Sequence, residues 1–247
     1  MRLLLVFVLY AVALSIALAR RGVRGRVTTG GRISKVRPTR LLVVGATGGT
    51  GRQLVTQALE RGYTVTALVR DPTRLPVEHE RLRIVRGDVL DYASVEAAVR
   101  EQDAVVSALG HKRFFSTAGM LSEGTRNIVR AMEAHNVARL VCETSLGLGD
   151  SAGRMGLYYT LFTIPVILPL YFWDKTTQER AIATSRLEWV IVRPGALKDG
   201  EKRGGYRHGP VGGFIGTVGI SRADVADFML NQLTADTYVG SAPGVCW

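Results

Sequence analysis

From Arg40 onward, short apolar runs alternate along the chain with stretches of helical spacing. The continuous apolar, β-branched character of buried strands occurs in "RLLVVG", "YTVTALV", "RLRIVRG", "DAVVSALG", "RLVCETS" and "LEWVIVRPG". Helical spacing occurs in "GRQLVTQALERG", "ASVEAAVREQ", "SEGTRNIVRAMEAHNV", "TQERAIATSR" and the last helix "SRADVADFMLNQL", for which Ser221 is the predicted N-cap. This alternation predicts an α/β fold with a doubly wound parallel sheet, a Rossmann fold, over residues 40–247.

The N-terminal residues have a different pattern, because no charged side chain interrupts "LLLVFVLYAVALSIALA" at residues 3–19. As a helix this run is about 26 Å long, near the lower limit for crossing a bilayer. Eight Lys or Arg residues between Arg20 and Arg40 favour a cytoplasmic flank. We predict that residues 1–39 form a hydrophobic membrane anchor with a flexible basic tether, which leaves the following domain on the cytoplasmic side. A cleaved secretory signal and an organelle-targeting leader are the alternatives.

The amino-acid composition and the distribution of charge indicate which classes of protein this chain can belong to. The 247 residues are 47% hydrophobic and 21% charged, which is typical of a folded globular chain. Of the 32 Lys and Arg residues, nine lie in residues 1–40, which contain no Asp or Glu, so 23 basic side chains face 21 acidic ones in the rest. Most of the formal charge of +11 therefore belongs to the N-terminal arm, and we expect no nucleic-acid partner. Cys142 and Cys246 are too few for a disulfide framework or a zinc site, and we expect no metal.

A glycine-rich turn, "VVGATGGTGRQLV", joins the first predicted strand to the first helix of this domain. Glycine lets the backbone turn sharply and approach a pyrophosphate, whose charge faces the N–H groups and dipole of the helix. The spacing is G-x-x-G-x-x-G and not the simpler G-x-G-x-x-G, and a mere tight turn is the alternative. Inside a βαβ unit the pattern favours dinucleotide binding by Gly45, Thr47, Gly48, Gly49, Thr50 and Gly51.

At this point the chain resembles a known family. The motifs are "VVGATGGTGRQLV", "VTALVRDPTRLP", "GDVLD", "DAVVSALG", "MLSEGTRNIVRAMEAHNV", "ETSLGLGDS" and "VRPGALKDG". In this order they are similar to the atypical short-chain dehydrogenase/reductase family with an NmrA-like NAD(P)-binding domain, which contains flavin and biliverdin IXβ reductases. The resemblance covers about Arg40 to the C-terminus. Because the family also contains redox sensors and accessory proteins, the resemblance implies NAD(P) binding but names no substrate.

The end of the second predicted strand, "LVRDP", bears on the choice of cofactor. An acidic side chain there binds the ribose 2′-hydroxyl of NAD, whereas an arginine pairs with the 2′-phosphate of NADP. Arg70 stands where the family has its phosphate-binding arginine, so we predict NADPH over NADH. The alternative is a solvated Arg70 beside a turn-capping Asp71. The resemblance further implies that Asp88 and Val89 contact adenine and that Ala108, Leu109 and Gly110 lie beneath the nicotinamide ribose.

The catalytic assignment also follows from the resemblance. Carbonyl reductases of this superfamily use a tyrosine as proton donor, a lysine four residues later and a serine that fixes the substrate oxygen. The matching residues are Tyr171, Lys175 and Ser145. The flavin-reductase relatives lack the tyrosine, so a packing role for Tyr171 is the alternative, and hydride transfer to a flavin needs little protein acid. We expect His111 to be a solvated loop residue, with a site role as the alternative.

A second uncharged segment, "GLYYTLFTIPVILPLYFW" at residues 156–173, follows the predicted catalytic loop. Its two prolines argue against a straight membrane helix. It is either a buried connection or an apolar substrate lid that touches the membrane. We expect an NADPH-dependent oxidoreductase that acts on a flavin, a quinone or a similar planar acceptor. The alternative is a non-catalytic NADP(H)-binding scaffold, assembly factor or accessory subunit of a membrane complex.

Overall fold

A computed structural model describes residues 2–23, 37–110 and 119–247. His111 and most of the predicted basic tether lie outside the described residues. The helices are α1 Arg2–Arg21, α2 Gly49–Glu60, α3 Tyr92–Val99, α4 Met120–Ala134, α5 Pro169–Ala183 and α6 Arg222–Asn231, and a π-helix covers Tyr159–Ile167. The strands are β1 Arg40–Val44, β2 Thr64–Val69, β3 Leu82–Arg86, β4 Ala104–Ser107, β5 Arg139–Glu143, β6 Glu188–Pro194, β7 Ala196–Lys198, β8 Arg207–Gly209, β9 Gly219–Ser221 and β10 Gly244–Cys246.

The main sheet has the strand order β3-β2-β1-β4-β5-β6-β10-β8. All neighbouring pairs are parallel except β10 with β8, so the predicted Rossmann fold is confirmed with an antiparallel edge strand that was not predicted. A separate parallel pair, β7 with β9, was also missed. These strands have three residues each, too few for a periodic pattern to show.

Helices cover both faces of the sheet and define two apolar layers. On one face, Leu54 and Val55 of α2 and Met229 of α6 pack with Val43 of β1. On the other face, Ile128 and Met132 of α4 pack with Leu42 and Val44. Burial of each such side chain contributes roughly 1.5–3 kcal/mol of hydrophobic free energy, so the layers hold the strand ends in fixed positions.

Strand register sets the position of the cleft. Val44 of β1 is paired with Leu68 of β2 on one side and with Ser107 of β4 on the other. The carboxyl ends of these parallel strands therefore meet at one edge of the sheet. The chain order reverses between β1 and β4, and ligands of open α/β sheets bind at such a switch point. The glycine turn that follows Val44 lies at this point.

The N-terminal helix α1 packs against the rest of the chain. Leu18 of α1 is 1% exposed and belongs to an apolar cluster with Leu148 and Ile164. The Tyr10 hydroxyl donates to the Pro165 carbonyl at 3.2 Å. At the helix end, the Arg21 guanidinium lies 3.8 Å from the centre of a Trp173 ring. From its middle to its last turn, α1 is thus joined to the body by apolar, polar and cation–π contacts.

The transmembrane anchor predicted for residues 3–19 is not supported. No helix within residues 2–23, 37–110 and 119–247 is long and apolar enough to cross a membrane. The Arg2–Arg21 helix itself is confirmed, but one side of it is used inside the protein, where Ala11 and Leu18 are buried. The division of the chain at residues 39 and 40 stays a prediction.

Candidate functional site

The glycine turn gives α2 an N-terminus without side chains. Gly48 is the N-cap residue, and its backbone is extended with φ −76° and ψ 168°. No side chain caps the helix, and its first residue, Gly49, has only a hydrogen as side chain. The Gly48 N–H donates to the Gly45 carbonyl at 3.0 Å, which closes the turn. The N–H groups of the first helical turn lack intrahelical partners and are available to an anion, as the sequence predicts for a pyrophosphate.

Gly45 and Gly51 are required by close backbone approaches. Gly45 has φ +81°, and a Cβ there would lie 2.5 Å from the Ala108 carbonyl oxygen. A Cβ at Gly51 would lie 2.0 Å from the Gly45 carbonyl oxygen. Both positions exclude any larger residue unless the backbone moves. The spacing that differs from the simplest fingerprint therefore forms a cradle of the kind that a dinucleotide needs.

The end of β2 presents basic side chains. Among the described residues, Arg70 forms no ion pair or hydrogen bond, and it is exposed. The Asp71 carboxylate accepts from the Thr73 N–H at 3.1 Å and from the Thr73 hydroxyl at 2.7 Å. The Thr73 hydroxyl bond is the main cause that lowers the pKa of Asp71, with Arg74 and Arg86 contributing. The Asp71 carboxylate is therefore used to cap the turn. Of the two neighbouring residues, Arg70 is the one whose side chain is free to contact a 2′-phosphate.

The residues after β3 and β4 are the remaining ones predicted to contact the cofactor. We call them the cofactor strip: Asp88, Val89, Ala108, Leu109 and Gly110. The Val89 carbonyl accepts from the Asn127 side chain at 2.9 Å, and the Asp88 carboxylate accepts from the Leu90 N–H at 3.0 Å. Ala108 and Leu109 are 9% and 8% exposed, whereas Gly110 is exposed. The strip thus runs from buried side chains at β3 and β4 to an open backbone at Gly110.

Tyr171 and Lys175 lie together on the first two turns of α5. Pro169 is the first helical residue, a position at which proline costs no hydrogen bond, so it does not interrupt the helix that carries them. The Lys175 ammonium lies 5.2 Å from the centre of the Tyr171 ring. A Cβ added at Gly110 would lie 3.8 Å from the Tyr171 hydroxyl. The tyrosine hydroxyl therefore reaches the strip on which the nicotinamide ribose is predicted to lie.

Two polar residues on α5 fix its position. The Asp174 carboxylate accepts from the Leu121 N–H at 3.0 Å and from the Ser122 N–H at 3.2 Å, and so caps the first turn of α4. The buried Gln178 amide donates to the Thr125 hydroxyl at 3.1 Å. These bonds hold α5, the helix that carries Tyr171, beside α4.

Lys175 is 2% exposed and carries its charge in the interior. Burial lowers the pKa of Lys175, but the nearby Tyr171 and Glu143 outweigh burial, and its pKa is raised overall. Burial raises the pKa of Glu143, which also accepts from the Thr50 hydroxyl at 3.2 Å. The ammonium and the carboxylate thus lie in one buried group beneath the glycine turn. Burial raises the pKa of Cys142 to about 12, so this thiol is inert.

Ser145 follows β5 and is half-buried at the mouth of the cleft, where its hydroxyl donates to the Leu146 carbonyl at 3.0 Å. Hydrogen bonds between buried residues support the loop that carries Ser145. The Thr144 hydroxyl donates to the Glu179 carboxylate at 2.8 Å, and the same carboxylate accepts from Arg193 at 2.7 and 2.9 Å. Arg193 is 0% exposed and also donates to the Val23 carbonyl at 2.9 Å. The chain just after α1 is therefore tied to the support of the Ser145 loop.

The sequence pattern missed part of this site. Arg74 and Arg86 join Arg70 near the end of β2, and Arg86 could have been found as a basic residue that ends the next strand. Glu143 could have been found as a carboxylate within the apolar run "RLVCETS". The pairing of Glu179 with Arg193 joins residues on a helix and a strand, and no local signal predicts it.

The residues at this edge match those of a known family. A family profile described as NAD(P)H-binding matches residues 45–236, which is more than half of the chain. The chain belongs to this NAD(P)H-binding family. The match begins at Gly45 of the cradle, and the resemblance to atypical, NmrA-like short-chain dehydrogenases/reductases is confirmed.

Two curated relatives match the chain over similar stretches. The 3-diazoavenalumate denitrifying reductase of a Streptomyces species is 34% identical over 184 residues, which are 64% of this chain and 56% of that protein. A chloroplastic protein of Arabidopsis thaliana is 31% identical over 177 residues, which are 66% of this chain and 61% of that protein. The chain thus spans about three fifths of the length of these two relatives.

Solved structures share the fold. The anaerobillin reductase ChuY from Escherichia coli O157:H7 has a TM-score of 0.69 at 24% identity, over 84% of this chain and 97% of ChuY. A short-chain dehydrogenase/reductase from Veillonella parvula, solved in complex with NADP, has a TM-score of 0.72 at 20% identity, over 85% of this chain and 95% of its own. At these identities the likeness shows the fold alone.

Proposed function

We propose that this protein is an NADPH-dependent oxidoreductase that reduces a planar, conjugated acceptor such as a quinone or a flavin. The observation that carries the proposal is the Tyr171 hydroxyl, which lies 3.8 Å from the Cβ position of Gly110, with Lys175 one turn further along α5. The preference for NADPH is supported by the exposed Arg70, with Arg74 and Arg86 nearby.

When bound, the cofactor supplies a hydride to the acceptor. Tyr171 donates a proton to the acceptor oxygen, and the buried Lys175 ammonium stabilises the phenolate that remains. The half-buried Ser145 hydroxyl releases its bond to the Leu146 carbonyl, donates to the same acceptor oxygen instead and orients it. The exposed backbone at Gly110 leaves room for a ring above the strip. A flavin takes its proton from water, so its reduction does not need Tyr171.

The acceptor class is supported by the wall beyond Ser145. Ile164 of the π-helix Tyr159–Ile167 and Phe172 of α5 both pack against Gly147 of the Ser145 loop. Its outer side chains are apolar and exposed: Tyr158 is 61% exposed and Phe162 is 44% exposed, and their rings are 5.7 Å apart. A planar, lipophilic molecule fits such a wall better than a charged one. The prediction that residues 156–173 form a buried connection therefore holds only for the inner side of this segment.

Steady-state turnover with a short-chain quinone and with a flavin tests the proposal. Tyr171→Phe is expected to lower kcat for the quinone at least 100-fold, on the scale of a lost general acid, and to lower kcat for the flavin less than tenfold. Tyr159→Phe, in the π-helix, is the matched control. Equal effects of Tyr171→Phe on both acceptors would contradict the role given to its hydroxyl.

A non-catalytic scaffold is the second candidate function. A scaffold binds NADPH without oxidising it, so affinity and turnover separate the two functions. Binding of NADPH together with no oxidation in the presence of quinone, flavin and dye acceptors would favour the scaffold and overturn the reductase.

We also propose that the protein rests on an anionic membrane surface without spanning it. Two observations support this location. Large apolar side chains are exposed on α1 and on the π-helix segment that packs against it: Leu5, Val6, Leu9, Val12, Ile16, Leu157, Phe162 and Val166. The basic stretch between Arg20 and Arg40 adds charge of the sign that anionic headgroups attract.

Co-sedimentation with vesicles tests the location. Full-length protein is expected to bind vesicles that contain phosphatidylserine and to bind neutral vesicles at least tenfold more weakly. The double substitution Val6→Glu and Leu9→Glu, at exposed positions of α1, is expected to abolish binding to both. Unchanged sedimentation of that variant would contradict the proposal.

A further inference from the structure

The first residue of α6, Arg222, lies against the glycine turn from a distant part of the sequence. A Cβ added at Gly49 would lie 2.4 Å from the Arg222 Cδ and 2.6 Å from its Nε. Gly49 is the first residue of α2, the helix whose N-terminal N–H groups point toward the predicted pyrophosphate site. The Arg222 side chain therefore covers the first position of α2, where glycine has no side chain of its own.

The ion pair that Arg222 forms in this structure is exposed to solvent and therefore weak. The Arg222 Nη1 donates to the Asp199 carboxylate at 2.7 Å, and this is its single ion pair in the described part of the chain. The Asp199 side chain is 93% exposed, whereas that of Arg222 is 28% exposed. Exposed pairs of this kind contribute at most about 1 kcal/mol. The interaction with Asp199 can therefore be exchanged for a stronger one at little cost.

Electrostatics favours an anion next to Arg222. The Glu143 carboxyl lies close enough for Arg222 to help oppose the rise in its pKa that burial causes. Arg222 thus adds positive potential on the same side of the turn as the N-terminus of α2. A pyrophosphate carries two charges and presents several acceptor oxygens, which a guanidinium binds in a forked geometry that a water-exposed carboxylate does not exploit.

We propose that Arg222 is a cofactor-binding residue that exchanges Asp199 for the pyrophosphate of the bound dinucleotide. This inference rests on the NAD(P)H binding of the family and not on the reductase reaction proposed above. Arg70 and Arg222 then have separate tasks. Arg70 contacts a phosphate that only NADP(H) has, whereas Arg222 contacts a group that NADPH and NADH share.

Equilibrium binding to full-length protein, measured by calorimetry, tests the exchange. The probes are NADPH, NADH and adenosine 2′-monophosphate, which lacks a pyrophosphate. Arg222→Gln is expected to raise the Kd for NADPH and for NADH by the same factor, about tenfold or more, and to leave the Kd for adenosine 2′-monophosphate unchanged. Asp199→Asn is expected to lower the Kd for both dinucleotides about two- to fivefold, because it removes the competing carboxylate.

The opposite signs of the two variants distinguish exchange from a structural ion pair. Arg61→Gln is the matched control, since Arg61, just after α2, pairs with Asp227 of α6 at 2.7 Å between the same two helices. It is expected to leave all three Kd values unchanged. A rise in Kd for Asp199→Asn as well as for Arg222→Gln, or an unchanged Kd for Arg222→Gln, would overturn the proposal. Should Arg222→Gln fail to fold, Arg222→Lys and the exposed Asp199→Asn still decide it, because a structural ion pair predicts weaker binding after loss of either partner.

Discussion

The cleft has a cofactor wall and a proposed acceptor wall, and different parts of the chain shape them: backbone atoms shape the first and side chains the second. On the cofactor wall, the contacts that decide the shape are between backbone atoms: Gly45 against the Ala108 carbonyl, and Gly51 against the Gly45 carbonyl. On the acceptor wall, the π-helix and the start of α5 present side chains, several of them apolar and exposed. The first wall tolerates almost no change, whereas the second can vary while its support stays in place. In the function proposed above, the cofactor is held at the first wall and the acceptor is selected at the second.

The largest difference in NADPH binding is expected between two glycine-to-alanine substitutions, one at each wall. Gly51→Ala is expected to abolish measurable NADPH binding, because its Cβ would lie 2.0 Å from the Gly45 carbonyl oxygen. Gly216→Ala, near the acceptor wall, is expected to leave binding unchanged, since no atom lies within 4 Å of the added Cβ. Calorimetry and thermal unfolding of both variants are the measurements. Normal NADPH binding by Gly51→Ala would mean that the backbone of the cofactor wall tolerates a larger residue.

Within the cofactor wall, Arg70 should set the preference between cofactors. Arg70→Glu removes a charge-assisted contact worth roughly 1.5–3 kcal/mol and adds repulsion against the 2′-phosphate. We expect NADPH affinity to fall more than tenfold and NADH affinity to be spared. The Kd values of both cofactors check this. Equal losses would mean that Arg70 does not contact the 2′-phosphate.

At the junction of the walls, Ser145→Ala is expected to lower kcat about tenfold for a quinone while the Kd for NADPH stays unchanged, because it removes one hydrogen bond to the acceptor. Ser151→Ala is not a suitable control, since the buried Ser151 hydroxyl bonds the Leu148 carbonyl within the loop. Thr160→Ser, in the π-helix, keeps a hydroxyl and serves instead. A loss for Ser145→Ala smaller than that of the control would remove Ser145 from the site.

The smallest effect is expected far from both walls, at the start of β1. Burial raises the pKa of Asp103, but hydrogen bonds from Thr39 and Arg40 outweigh it and lower the pKa to about 2. A lowered pKa means that the ionised carboxylate stabilises the fold above about pH 4 and that this contribution is lost as pH falls toward 2. Asp103→Asn should cost about 1 kcal/mol at pH 7 and leave NADPH affinity unchanged. Urea unfolding at pH 7 and pH 3 measures it, and a stability difference that grows on acidification would contradict it.

The same contrast explains what the sequence could predict. The strands and the glycine turn are local patterns that apolar periodicity and fixed spacing report, whereas the role of Arg70 comes from the resemblance and stays a prediction. The catalytic role of Tyr171 also comes from the resemblance and stays a prediction. Of the two prolines that argue against a straight membrane helix, Pro165 lies inside the π-helix and Pro169 is the first residue of α5.

Other features depend on residues far apart in the chain. The Arg193–Glu179 pair, the cap that Asp174 places on α4 and the position of Arg222 over Gly49 arise only when the chain is folded. The packing of α1 belongs to the same class. Hydrophobicity alone predicted an anchor for residues 3–19, because a run of apolar residues does not reveal whether a protein surface will bury one side of it.

A crystal structure of the protein with bound NADP+ tests the central claim most directly. We expect the pyrophosphate at the N-terminus of α2, the 2′-phosphate beside Arg70, and the nicotinamide ring above Gly110 with the Tyr171 hydroxyl facing the reactive carbon. A nicotinamide ring turned away from Tyr171, or a Tyr171 hydroxyl closed off from the ring by packing, would contradict it.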